Sequence, residues 1–244
     1  MQEIVYHTNY KLENSYWWFT ARNAIVGRVI DKVCKGLRAG DELLDAGCGT
    51  GGFAGYIAQK FKVIGLDTSE LALEYCRKRG LTNLYCTTLD GFPKDEWNVR
   101  IITMLDVVEH IEDDAGVVRQ AYDILPSGGW FVAAVPAYQW LWSRHDEIHM
   151  HQRRYNRKKF VKLLAEAGFT IEYHSYFNFF LFLPAALKRL LSKLFGEKEP
   201  PAPVDEVSPA VNRLFNSVFG FERRFMPALR FPFGVSFLAV AKKP

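Results

Sequence analysis

Cysteine is scarce in this chain. The four present, Cys34, Cys48, Cys76 and Cys86, form no CxxC pair, which argues against a zinc or iron–sulfur centre and favours reduced thiols. No apolar run is long enough to span a bilayer. The longest, Phe177 to Leu187, is broken by Asn178 and Pro184 and is followed by Lys188-Arg189. The opening residues Met1 to His7 lack the basic stretch and apolar core of a signal peptide, so the expected location is the cytoplasm. Neither sign of charge dominates, with 31 Lys+Arg against 27 Asp+Glu, and the bases gather only around Arg153–Lys159 and Arg223-Arg224. A dedicated nucleic-acid binder concentrates its bases on one face, so nucleic acid is not an expected partner. No internal repeat is visible.

What is present is an α/β rhythm in a 244-residue chain that is 49% hydrophobic, enough for one substantial core with added segments. Residues 13–38 carry apolar groups at helical spacing and read as one or two leading helices. Strands are expected at Glu42–Asp45, Lys62–Asp67, Leu84–Thr87, Val99–Leu105, Gly129–Val135, Phe169–Ser175 and Gly234–Val240. Helices are expected between them at Phe53–Lys60, Ser69–Arg79, Ala115–Leu125 and Arg157–Ala167. Such alternation builds a mostly parallel, doubly wound sheet with helices on both faces. The expected organisation is a helical lid segment over 1–40, an α/β core over 41–175 and an insertion over 176–233. Residues 234–244 supply the last strand. Within the insertion, a Pro-rich acidic stretch at 197–209 has the composition of a mobile linker, and a helix follows from about Ala210 to Leu229.

The chemistry begins at Asp45-Ala46-Gly47-Cys48-Gly49-Thr50-Gly51-Gly52, a glycine-dense turn between strand and helix. Such a turn lets backbone approach a ligand closely, and open parallel sheets bind ligands outside the carboxyl ends of their strands. Gly47-x-Gly49-x-x-Gly52 also satisfies the dinucleotide pattern, and a nicotinamide oxidoreductase stays open as an alternative on this run alone. Asp67 ends the second strand ~20 residues beyond Gly47, the distance at which a carboxylate meets ribose hydroxyls. Both readings use it. Asp45 separates them, because a carboxylate just before the first glycine suits a cofactor with an ammonium and a sulfonium.

Four motifs in order resemble the class I S-adenosylmethionine (SAM)-dependent methyltransferases. They are Leu44–Gly51, Gly65–Ser69, Leu105-Asp106-Val107-Val108-Glu109-His110, and Leu125–Gly129. The resemblance covers nearly the whole chain and implies a Rossmann-like α/β sheet with SAM as cofactor. It also implies close backbone contact at Gly47, Gly49 and Gly51, the methionine end at Asp45, and the ribose at Asp67. Cys48, Thr68, Leu89 and Asp106 complete the implied contact set. Thr88 stands where many relatives carry an acid that meets the adenine amine.

Methyl transfer from a sulfonium is an in-line displacement, so holding the nucleophile about 3–3.5 Å from the methyl carbon supplies much of the catalysis. A nucleophile that carries a proton benefits from a base, and His110 and His145 are the candidates. Packing beside the cofactor is the bland alternative for His110. Three histidines, His145, His149 and His151, could ligate a metal by residue type. Transfer from SAM needs none, a water-facing loop accounts for them equally, and no metal is expected.

The segment Val135 to Tyr155, with Tyr16 to Phe19, Arg22 and Pro232 to Ser236, resembles a bacterial subgroup associated with saccharide or lipid metabolism. Tyr16, Trp17, Arg22, Trp142, Asp146, Arg154 and Tyr155 are its candidate acceptor contacts, suited to a lid and to a polar or anionic group. The strand-four motif lacks the Pro-Pro-aromatic sequence of amine methylation on nucleic acid. Residues 173–195 interleave aromatics and leucines with Lys188, Arg189 and Lys193, a pattern compatible with an interfacial helix and an apolar or lipid-linked acceptor, or with a cap on the sheet. A non-catalytic SAM-binding or membrane-surface module is the third alternative.

Overall fold

The computed structural model describes residues 3–195 and 207–244; residues 197–206 of the expected linker lie outside them, and its last residue, Pro209, begins a helix instead. Seven strands form one sheet: β1 (Glu42–Ala46), β2 (Lys62–Asp67), β3 (Leu84–Cys86), β4 (Val99–Leu105), β5 (Trp130–Pro136), β6 (Thr170–Phe177) and β7 (Ser236–Lys242). Their spatial order is β3-β2-β1-β4-β5-β7-β6. The first five run parallel, and β7 inserts antiparallel between β5 and β6. Chain order therefore reverses between β1 and β4, and the crossovers leave toward opposite sides there.

Strand side chains alternate between the two faces. Leu44, Ile64, Ile102 and Phe131 pack with α5 (Asp114–Ile124) and α7 (Arg157–Glu166). Leu43, Val63, Ile101 and Val132 pack with α2 (Trp17–Val33), α3 (Gly52–Ile57) and α9 (Pro209–Phe221). Elements α2 and α9 lie side by side, with Trp18 stacked on Phe219 at 5.3 Å and on Phe177 at 6.2 Å. Asn212 of α9 accepts the Trp17 N–H at 2.8 Å, satisfying a donor at the start of α2 from almost 200 residues away. The expected insertion thus closes one face of the core.

Element boundaries differ from expectation in three instructive places. A helix α1 (Glu3–Leu12) precedes the expected leading region and packs on α4 (Glu70–Lys78), where Tyr10 stacks on Tyr75 at 4.3 Å. The helix expected to reach Leu229 ends at Phe221 with one 3₁₀ turn beyond, because Pro227 supplies no N–H and restricts the residue before it. The last strand starts at Ser236 rather than Gly234, since the Gly234 position crowds the Phe177 backbone: a Cβ there would lie 2.3 Å from its carbonyl oxygen. The leading region expected over 13–38 holds α2 at Trp17–Val33, and elsewhere the expected and observed ends agree within about three residues, the ordinary fraying of such assignments. In α8 (Phe182–Phe195) only Ala186 is buried, and no helix among the described residues is long and apolar enough to cross a membrane.

Glu222, in the turn after α9, is fully buried. Its carboxylate accepts the N–H groups of Asn178, Phe179 and Phe180 at 2.8, 2.7 and 3.2 Å. Burial pushes its pKa up to about 7 against the pull of those donors. A carboxyl raised in the fold contributes most below its unfolded pKa of about 4.3, and that contribution fades as pH rises through 7. Stability measured by urea denaturation is therefore expected to fall between pH 4.5 and 7.5, and Glu222→Gln to flatten that slope. An unchanged slope in the variant would refute the assignment.

Candidate active site

A cavity of about 510 Å³ lies over the carboxyl ends of β1 and β4, at the reversal of strand order. The glycine turn between β1 and α3 forms one wall. Gly47 has φ +78°, and a Cβ there would fall 2.5 Å from Cγ2 of Val107, so only glycine fits. Gly49, at φ +54°, has open space at its Cβ position and donates its N–H to Asp67 Oδ2 at 2.9 Å. The other Asp67 oxygen accepts the Ser69 N–H at 2.9 Å. Asp67 thereby fastens the turn to the end of β2, and burial raises its pKa against those two bonds.

Carboxylates converge on the turn's end of the cavity. Asp45 is 3% exposed and accepts from Thr103 Oγ1 at 2.6 Å; burial raises its pKa to about 6 against that bond and the Arg22 charge. Asp106, at φ 57°, accepts from Arg22 of α2 at 2.6 Å. A non-glycine residue held there is strained, and such strain gathers at functional sites. Glu13, between α1 and α2, accepts from Thr50 Oγ1 at 2.5 Å and pairs with Arg79 at 3.1 Å. A Cβ on Gly52 would lie 2.6 Å from its carboxyl carbon, so the N-terminal helices seat directly on the glycine turn. Nothing in the sequence singled out Glu13. Its signal is tertiary, since it depends on where α1 comes to rest.

The opposite wall comes from the loop after β5, which carries α6 (Arg144–Ile148). Asp146 is fully buried and organises it. Its carboxylate accepts a bidentate pair from Arg154, Nε at 2.7 Å and Nη2 at 2.9 Å, together with His151 Nδ1 at 2.8 Å and the Ser143 N–H at 2.8 Å. Burial alone would raise its pKa, but His151 and Arg154 outweigh it and hold the carboxyl far below the usual range. His110, His145, His149 and His151 all reach the cavity. Burial, with help from His151, lowers the His110 pKa to about 4, so its imidazole is neutral at physiological pH. His145 keeps an exposed edge at the rim, and the protein crowding its ring, together with His149 at 4.0 Å between centroids, lowers its pKa as well.

Of the sequence candidates, Tyr16, Trp17, Arg22, Asp45, Gly47, Cys48, Gly49, Asp106, His110, His145 and Arg154 line the cavity together. Gly51 starts α3, and Asp67 and exposed Thr68 sit at the end of β2, all outside the lining. Thr88 is exposed and bonded to Asp90, with Leu89 buried next to it. Asp146 and Tyr155, expected at the acceptor, have their polar atoms committed elsewhere. Asp146 anchors the loop from behind, and the Tyr155 hydroxyl donates to Asp114 Oδ2 at 2.7 Å while its ring packs on Phe160. Trp142 also stands outside the lining. Asn9, Glu109 and Asn178 were not expected and do line it. Their signal was absent or faint: Glu109 lay inside a recognised motif with no role attached.

Four of the lining residues carry buried polar atoms without a partner among the described residues: Asn9 Oδ1, Trp17 Nε1, both Glu109 oxygens and Asn178 Oδ1. Buried polar groups are normally paired, so a lining with these atoms is suited to a polar ligand. Carboxylates beside an open glycine backbone fit the cationic methionine end of SAM.

A family described as "Methyltransferase domain" matches residues 18–174. A probable SAM-dependent methyltransferase of Mycolicibacterium smegmatis is 30% identical over 66% of this chain and 62% of its own length. A probable SAM-dependent methyltransferase of Mycobacterium tuberculosis is 26% identical over 65% of this chain and 57% of its own. The chain thus spans less than two thirds of either relative. The structure of a SAM-dependent methyltransferase from Archaeoglobus fulgidus covers 91% of this chain and 93% of that one, with a TM-score of 0.58 and 18% identity, a likeness of fold alone. The strand order, the glycine turn held by Asp67 and the family match agree: the chain belongs to the methyltransferase-domain family of the class I, SAM-dependent type.

Proposed function

We propose that this chain is a SAM-dependent methyltransferase acting on a small-molecule acceptor. One observation carries the reading. A positive-φ glycine turn, pinned by Asp67, opens onto a cavity whose near end holds the carboxylates of Glu13, Asp45 and Asp106. When bound, SAM supplies an electrophilic methyl group on a sulfonium. The turn would present backbone to the cofactor, Asp67, just outside the cavity lining, would meet its ribose, and Asp45 would offset its positive charge at physiological pH. The Arg22–Asp106 pair and the Glu13 clamp hold α1 and α2 over the site and limit water entry. His110 and His145 present neutral imidazoles to the cavity, and either can accept a proton from the acceptor. A nicotinamide cofactor is the weaker reading, because its diphosphate would meet the Asp45, Asp106 and Glu13 charges.

The acceptor side favours a molecule with an apolar portion and a polar or anionic group. Leu181, Pro184 and Ala185 of the α8 region line it together with Arg144, Lys188 and Arg189. The outer side of α8 exposes Leu183, Leu187, Leu190 and Leu194, which suits an acceptor drawn from a lipid surface. Calorimetry on the folded protein should register SAM and S-adenosylhomocysteine but neither NAD nor NADP. With labelled SAM and a cell extract, label should pass to an organic-phase product. Silence toward both adenosyl ligands would overturn the cofactor reading; label confined to the aqueous phase would overturn the apolar acceptor.

A further inference from the structure

Glu109, His110 and His151 meet on the cavity wall, and their potential ligand atoms all lie within 4.8 Å of one another. Glu109 is fully buried, with neither oxygen hydrogen-bonded among the described residues. A carboxyl left unmatched at both oxygens is rare and points to a binding partner from outside the chain. One of the two histidines is already oriented by a hydrogen bond. His151 directs Nδ1 at the Asp146 carboxylate, 2.8 Å away, which places the proton there and leaves the Nε2 lone pair for another partner. Met150, at φ 59°, sets the turn just before His151. The two rings stand edge to face at 4.7 Å between centroids.

We propose that Glu109, His110 and His151 bind a divalent transition-metal ion on the acceptor side of the cavity. Two imidazoles and one carboxylate suit zinc, cobalt or a similar ion better than magnesium or calcium, which prefer all-oxygen shells. Bonds of about 2.0–2.2 Å in a tetrahedral shell set donors roughly 3.4 Å apart, so side-chain adjustments of about an ångström close the site. Three protein ligands leave a position open to the cavity, as in catalytic rather than structural zinc sites. Asp146, clamped by Arg154, is the carboxylate behind a ligating histidine that such sites use to fix ring orientation. This trio differs from the one the sequence suggested, for His145 and His149 stand outside it. If the methyltransferase reading holds, on which this last role rests, the open position takes an acceptor oxygen and lowers its pKa. His145 is then left as the proton acceptor.

The test is a titration of chelator-stripped protein with Co²⁺, followed by its visible absorption, and with Zn²⁺ in the calorimeter. One ion per chain is expected. Glu109→Gln, His110→Asn and His151→Asn should each weaken binding on the order of 100-fold, with circular dichroism confirming the fold of each. His149→Asn, outside the trio, should bind metal like the parent. No saturable binding up to millimolar Co²⁺, or equal affinity in all three ligand variants, would overturn the proposal. S-adenosylhomocysteine calorimetry on the same stripped protein separates the two readings. Heat with that ligand but none with metal removes the metal site alone; heat with metal but none with that ligand removes the cofactor reading and leaves the site standing.

Discussion

Asp146→Ala should destabilise the protein by about 3–5 kcal/mol, the usual consequence of stranding the partner of a buried ion pair. The substitution leaves the Arg154 guanidinium, itself 8% exposed, without the carboxylate that takes two of its N–H groups, and it frees His151 and the Ser143 N–H together. Among the described residues the guanidinium then keeps its bond to the Ala137 carbonyl at 3.2 Å and no other, too little to offset a desolvated charge. Urea denaturation at pH 7 measures the loss, and hydrogen exchange should locate it at residues 137–155. A loss below about 1 kcal/mol would show that water reaches Arg154 freely. Replacing Asp146 and Arg154 together by leucine should cost far less, because no uncompensated charge then stays buried. The sign with pH is fixed: the Asp146 carboxyl is held below its ordinary pKa, so its contribution is full at neutral pH. It disappears only as pH falls below the usual carboxylate range.

The second large effect is expected in ligand affinity. Asp67→Ala should weaken S-adenosylhomocysteine binding by roughly 10- to 150-fold, the equivalent of about 1.5–3 kcal/mol for a hydrogen bond to a charged group. On the proposed ribose contact, part of that loss would be direct. The remainder passes through the glycine turn, because Asp67 holds the Gly49 N–H and the Ser69 N–H at once. Asp67→Asn separates the two parts. The amide keeps one oxygen for the turn but loses the charge and an acceptor, so its affinity should fall between the parent and the alanine variant. Calorimetry with the demethylated ligand reads both without turnover. A dissociation constant within threefold of the parent in Asp67→Ala would exclude a ribose role for this residue and leave it as a strut of the turn.

Asp45 shows how far a sequence argument reaches and where it stops. A carboxylate before the first glycine, and Asp67 one strand later, are local facts of spacing, and the turn between them follows from backbone sterics that neighbours in sequence already impose. Alternating strands and helices, with hydrophobic positions at periods of two and near four, likewise fixed the parallel sheet and its two covered faces. These features depend on interactions within a few residues, so they are legible one segment at a time. The seat of Glu13 on Thr50 and Arg79 and the capping of α2 by Asn212 join segments between about 37 and 195 residues apart. The Asp146 network lies within one loop, yet its burial depends on where that loop packs. The meeting of Glu109 with His151 has the same origin, because two loops reach one cavity only after β4 and β5 pair. Spacing and chemistry along the chain chose the strands, the turn and its two acids. Long-range packing alone decided which polar groups would be buried, which would find partners, and which would be left facing the cavity with none.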